Sequence, residues 1–228
     1  MQSAHALKAF CWLIMKDLVS ELRLGRSWPI MLLLGLVLVI LLEMQVDLGP
    51  LEKQQVVSGL FWLDVFFAGT LMVDRSFAGE REDGCWRALL LYPVSTTTVY
   101  FAKVSVTFLA LLLLESVLVP AFMVFSNVPL LRHPFGFLAV AVLANLGYAS
   151  VGVVISALTA QMSHRGSLLP LLLLPLMTPV IISAAAATRL LVAVGLDQQW
   201  WRWVQLLGCF VMVFTSLGTL VFEFAVEE

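Results

Sequence analysis

Along this chain the polar positions are spaced so far apart that the apolar stretches between them merge into continuous runs about as long as a bilayer is thick. Six such runs stand out: Trp28 to Val46, Val56 to Val73, Tyr100 to Phe125, Phe135 to Ala160, Leu168 to Ala187 and Val204 to Phe224. A run of about 20 apolar residues crosses a hydrocarbon layer about 30 Å thick as a helix. Apolar and polar residues do not alternate within the runs, so a β-barrel is excluded and the fold class predicted is all-α, a polytopic membrane protein with six spans. Ahead of the first span, Leu7, Cys11, Ile14, Leu18 and Leu22 fall on one helical face with Phe10 and Met15 at its edges, while Lys8, Lys16, Asp17, Ser20 and Arg23 face away. That pattern predicts an amphipathic helix over residues 1–27 lying in the membrane interface, from which "RSWP" (Arg26 to Pro29) turns the chain inward.

Composition agrees with this reading. A mean hydropathy of +0.99 over 228 residues that are 61% hydrophobic and 12% charged leaves too few polar side chains to cover a soluble domain. The first strongly apolar run lacks a small-residue cleavage site, so it is expected to stay as a span and not to be removed as a signal peptide. The net charge of −2 gives no basic patch for nucleic acid. Cys11, Cys85 and Cys209 show no CxxC spacing and read as small apolar fillers. No HExxH or GxSxG pattern appears, and no convergent nucleophile, base or metal-ligand set, so neither catalytic nor metal-binding residues are predicted. His5, His133 and His164 are not paired at ligand spacing, and His133 reads as an interface histidine.

Charge sets the orientation. With the N-terminus inside, Lys8, Lys16, Arg23, Arg26, Arg75, Arg81, Arg87, Lys103 and Arg165 fall on the inner side, against Lys53, Arg132, Arg189 and Arg202 outside. The excess of inner cations places both termini in the cytoplasm. Residues 188–203 then form an outer interfacial segment, with Trp200, Trp201 and Trp203 expected as an aromatic belt.

This topology puts "EREDGCWRALLLYPVS", Glu80 to Ser95, on the cytoplasmic side, within the longest inner connection (residues 74–99). Its charges crowd into its first half. Trp86, Leu89 and Leu90 share one side of a short helical stretch that Pro93 stops. A helix parallel to the membrane, apolar face toward the bundle, is the predicted element. The chain has no GxxxxGK[ST] phosphate loop and no connection long enough for a nucleotide-binding domain, so any ATP-driven work must come from another subunit. A stiff cytoplasmic helix is where such a subunit could push.

The stretch "EDGCWRALLLYPVSTTTVYFAK" resembles the membrane subunits of type-2 ABC exporters, and specifically the haem exporter protein B (CcmB) family of cytochrome c maturation. The matching positions are Glu82, Asp83, Gly84, Leu89 to Leu91, Pro93, Ser95, Ala102 and Lys103; Cys85-Trp86-Arg87 departs from the family pattern. A second stretch, "LLPLLLLPLMTPVIISAAAA", is similar to the family's fifth span in the spacing of Pro175 and Pro179. The resemblance implies a single transmembrane domain over 1–228 in a bacterial inner membrane. It also implies a second copy of the permease, two copies of an ATPase subunit that bind ATP and Mg, a haem-handling membrane subunit, a small single-span subunit and a periplasmic haem chaperone. ATP turnover would serve haem export or release of the loaded chaperone, with no cofactor held by the permease itself. Glu82, Asp83, Gly84, Trp86, Leu89, Leu90 and Pro93 are then the segment that meets the ATPase. A type-2 exporter for another substrate and an ion-coupled secondary carrier are the competing functions.

Inside the spans, Asp64 lies about 12 Å from the outer end of span two and Glu115 about 15 Å from that of span three, at 1.5 Å per residue. An ionisable residue in a span faces an interior, a cavity or a partner. Two readings follow: Asp64, Glu115 and Asn145 form a polar seam that moves or receives a helix, or the acids are protonated and hydrogen-bonded statically within the bundle. The span-five prolines mark either a bend used in transport or a static one. Gly152, Ser156 and Ala160 give span four a small-residue face suited to close packing, expected to be internal to the bundle.

Overall fold

The computed structural model describes residues 12, 14–15, 28–45, 49–75, 96–160 and 165–227. They form six helices: α1 (Trp28–Gln45), α2 (Pro50–Arg75), α3 (Thr96–Ser126), α4 (Pro134–Ala160), α5 (Arg165–Ala193) and α6 (Gln198–Glu227). Five of them, α2 to α6, are long and apolar enough to cross a membrane, whereas the apolar part of α1 is the shorter run Pro29–Leu41. Most of the helices outrun the apolar segments read from sequence, because backbone hydrogen bonding propagates past the point where side chains turn polar. Of the residues expected to form an N-terminal amphipathic helix only three are described: Ile14 is half-buried against the main core, while Trp12 and Met15 are exposed.

The connections on one side of the bundle are short and built from specific caps. α3 ends at Ser126 and Asn127 follows at φ 55°, the left-handed conformation in which Asn commonly closes a helix. Pro129 and Leu130 lead to His133, whose carbonyl accepts from the Phe137 amide at 2.9 Å, and Pro134 occupies the first helical position, where its missing N–H costs nothing. α5 closes with Val194 and Gly195 both donating to the Leu190 carbonyl at 2.8 Å. Gly195 sits at φ +109°, and a Cβ there would also meet His133 Nε2 at 3.0 Å, so both its conformation and its neighbour require glycine. Asp197 caps α6 through Oδ1 to the Trp200 amide at 2.7 Å, and Arg132 Nη1 ties the α3–α4 turn to the Val192 carbonyl at 2.8 Å. The expected outer segment 188–203 is therefore the last turn of α5, this turn, and the first turn of α6.

α4 is the central helix: it packs on α6, α5, α3 and α2, and α2 in turn packs on α5, α1 and α3. Small residues let these helices approach. A Cβ on Gly69 would lie 2.8 Å from Leu111, one on Gly152 would lie 2.8 Å from Val73, and one on Gly35 would lie 2.9 Å from Leu118. The small face of span four is thus an internal contact, as Gly152 and Ser156 both seat on Val73 of α2, with Ser156 Oγ donating to the Val73 carbonyl at 2.7 Å. Replacing Gly152 with Leu would force α2 and α4 apart, and overpacking of this kind costs about 1–3 kcal/mol; a lower unfolding midpoint of the purified permease in detergent is the expected result.

The aromatic belt is corrected in part. Successive helical residues point about 100° apart, so Trp200 turns inward and is buried, Trp203 packs against the core from its edge, and Trp201 is the one that stands 56% exposed. The buried side chains divide into two bodies. A main core runs through all six helices, and a smaller one joins Val99, Tyr100 and Val104 of α3 to Ala149, Val153, Val154 and Ala157 of α4 and Phe222 of α6.

Candidate functional site

The depth of the intramembrane acids can be fixed from contacts. Gly69, Leu111 and Tyr148 meet at one level of α2, α3 and α4. Moving from that level toward the N-termini of α2 and α4 and the C-terminus of α3, Asp64 lies about 7.5 Å along α2, Glu115 about 6 Å along α3 and Asn145 about 4.5 Å along α4, at 1.5 Å per residue. The three therefore share a depth, and all are buried, Asp64 at 0%, Glu115 at 4% and Asn145 at 1% relative exposure.

What they do with their polar atoms differs. Asn145 is a side-chain hydrogen-bonding neighbour of Glu115, while Glu115 Oε1 and Asn145 Nδ2 lack a partner among the described residues. Both oxygens of Asp64 lack a partner among the described residues, and so do Thr107 Oγ1 and Ser58 Oγ. Thr107 precedes Glu115 by about two turns on α3, whereas Ser58, six residues before Asp64, points about 120° away from it around α2. A buried polar group left unpaired costs about 1–3 kcal/mol. Asp64, Glu115 and Asn145 in one layer of the bundle form a seam whose polar capacity is largely unspent.

Other buried polar groups near the seam are satisfied, although Trp200 Nε1 of α6 also lacks a partner among the described residues. Trp62 Nε1 donates to Thr188 Oγ1 of α5 at 2.9 Å. The Tyr148 hydroxyl lies 3.0 Å from the Phe66 carbonyl and 3.0 Å from Thr70 Oγ1, which itself donates to Phe66 at 2.7 Å. Toward the N-terminus of α2 from Asp64, Phe61 closes the layer against Phe122 and Phe137, with ring centroids 5.4 and 5.8 Å away. These groups are not visible as a set in the sequence. Thr107 alone carried a signal, lying in phase with Glu115 inside one apolar run.

α5 runs as one helix through Pro170, Pro175 and Pro179. Proline has no N–H, so the carbonyls of Leu171 and Pro175 lose their usual donors at Pro175 and Pro179. Hydroxyls in the same stretch supply bonds one turn back, Thr178 Oγ1 to Leu174 at 2.8 Å and Ser183 Oγ to Pro179 at 2.7 Å. Glu82, Asp83, Gly84, Trp86, Leu89, Leu90 and Pro93 lie outside the described residues. So do Lys8, Lys16, Asp17, Ser20 and Arg23 of the expected N-terminal helix. Among the described residues no group of three or more His, Cys, Asp or Glu is placed to hold a metal ion.

Residues 8–228 match the CcmB protein family. The chain is 31% identical to heme exporter protein B of Rhodobacter capsulatus over 180 residues, which cover 78% of this chain and 81% of that one. It is 30% identical to heme exporter protein B of Bradyrhizobium diazoefficiens over 186 residues, 80% and 82% of the two chains. With heme exporter protein B of Escherichia coli K12 the identity is 28% over 156 residues, 67% and 69% of the two.

Proposed function

The chain belongs to the CcmB protein family, and from that premise we propose that it is the membrane permease of a haem exporter that serves cytochrome c biogenesis. The observation that carries this reading is the family match itself, which spans both quoted motifs and every described helix. Relatives that match over about four-fifths of both chains bear the name heme exporter protein B. In this reading α1 is the sixth span, both termini are cytoplasmic, and the protein sits in a bacterial inner membrane. It acts as a pair, is itself no enzyme, and binds two copies of an ATPase that carries the ATP and Mg. A haem-handling membrane subunit, a small single-span subunit and a periplasmic haem chaperone complete the complex.

The physical logic is a division of labour. Residues 74–99 receive the movement of the ATPase, and in this reading Trp86, Leu89 and Leu90 are the apolar face that meets the ATPase and not the bundle, with Glu82 and Asp83 as the charged flank. The bundle converts that movement into haem export or into release of the loaded chaperone. The seam of Asp64, Glu115 and Asn145 is the layer that rearranges, since groups left unpaired in one packing gain most by finding partners in another. Pro175 and Pro179, which withdraw two amide donors from α5, mark where that helix yields. A proton-coupled carrier is the second reading, and the unpartnered, fully buried Asp64 is the observation that favours it.

The test is genetic and spectroscopic. Deleting the chain in its host should abolish covalent haem in membrane c-type cytochromes, as read by haem staining, and a plasmid copy should restore it. Normal c-type haem in the deletion strain would overturn the proposal.

A further inference from the structure

We propose that Tyr100 is a positioning residue that clamps the first turns of α3 onto α4 and α6, so that the stretch of α4 from Ser150 to Ser156 receives displacement from both flanks of residues 76–95. The inference rests on the reading above that these residues meet the ATPase, and goes beyond it by naming where the force enters the bundle.

Both helices that flank the segment end on the same part of α4. Upstream, the last turns of α2 are held by Val73, whose carbonyl accepts from Ser156 Oγ at 2.7 Å and whose side chain fills the space left by Gly152. Downstream, Tyr100 lies in the second turn of α3 and is wholly buried. Its hydroxyl donates to the Ser150 carbonyl at 3.2 Å, and Ser150 Oγ lies 3.0 Å from Thr215 Oγ1 of α6. The phenol rests on Gly218 of α6, where a Cβ would collide with the hydroxyl, and its ring meets Phe222 at 5.5 Å. One side chain therefore touches three helices, at a place where the backbone of α6 has been stripped of its side chain to admit it.

The buried side chains around it form a core separate from the main one. A separate core lets the cytoplasmic ends of α3, α4 and α6 move together without repacking the rest, because well-packed clusters shift between discrete arrangements and do not deform smoothly. Tyr100 supplies the polar bond and the steric key of that unit. It is not in contact with Asp64, Glu115 or Asn145, so its effect on transport would be one of transmission.

The experiment uses the complete complex in nanodiscs, with the native cysteines replaced and spin labels at Thr97→Cys on α3 and Val221→Cys on α6, both exposed. The chain with Tyr100 should give one narrow distance distribution, unchanged when ATP is added or trapped. Tyr100→Phe, which removes only the hydroxyl, should broaden it without nucleotide and lower the rate of cytochrome c maturation about three- to tenfold at equal complex abundance, the factor one hydrogen bond commonly carries. Gly218→Ala should broaden it further; if that variant fails to accumulate, Tyr100→Phe decides alone. An unchanged width in Tyr100→Phe, maturation at the native rate, or an α3–α6 distance that changes with nucleotide in the native chain would overturn the proposal. A permease isolated with no ATPase would instead sink the proposed function, and the comparison of widths without nucleotide would still decide the clamp.

Discussion

Replacing Trp86 or Leu90 with Glu is expected to reduce copurification of the ATPase subunit at least about tenfold while leaving the permease at its native level in the membrane. The reason is the cost of seating a charge in an apolar contact. A large aromatic anchor such as Trp at the centre of an interface commonly carries about 2 kcal/mol or more, and at either position a buried unpaired carboxylate adds several kcal/mol of desolvation. About 1.4 kcal/mol is already a factor of ten in affinity. Arg87→Ala, on the flank expected to face water, should change copurification by less than about threefold, since a rim charge of this kind is worth about 0–1 kcal/mol. Pull-down from solubilised membranes with quantitative mass spectrometry separates the two effects. Equal loss in all three variants would mean that the segment acts only by holding the fold.

Asp64→Leu should move stability and function in opposite directions. The native carboxyl is wholly buried and neither oxygen has a partner among the described residues, so exchanging it for an apolar side chain removes an unspent desolvation cost of about 1–3 kcal/mol. The unfolding midpoint of the purified permease in detergent should rise. If Asp64 belongs to the layer that rearranges, ATP-dependent maturation should fall about tenfold or more. A static, hydrogen-bonded acid predicts the reverse pair, a lower midpoint with function retained. Asn145→Leu should be milder, because it leaves Glu115 without its one neighbour while deleting a half-used amide.

The sequence made some features of this protein plain and hid others, for physical reasons. Helix existence was legible because lipid allows only fully hydrogen-bonded elements, so a continuous apolar run has one outcome; α3 and α4 begin and end near the runs that announced them, whereas α5 continues from Ala187 to Ala193. The start of α6 at Gln198 was less so, since polar Gln198 and Gln199 gave no sign that the helix begins there under an Asp197 cap. Shared depth of Asp64 and Glu115 followed from counting residues, but counting gives height and not azimuth. That is why Asn145 could be assigned to the layer and yet its closer association with Glu115 than with Asp64 required the packed structure. The same limit applied to Gly152 and Ser156, whose partner Val73 lies about 80 positions away in the chain, and to the three tryptophans near residue 200, where a rotation of 100° per residue sends one inward. Tyr100 was hidden altogether, because an aromatic at the head of a span ordinarily marks the membrane interface, and only the bare Gly218 opposite it reveals a different use.

The claim on which the account stands is that the segment around Trp86 meets a nucleotide-binding subunit on the cytoplasmic face. A photo-crosslinking amino acid at position 86, irradiated in intact cells, addresses it with one reading. The account predicts a covalent adduct between this chain and the ATPase; adducts formed only with the permease's own spans, or with a protein on the opposite side of the membrane, would contradict it.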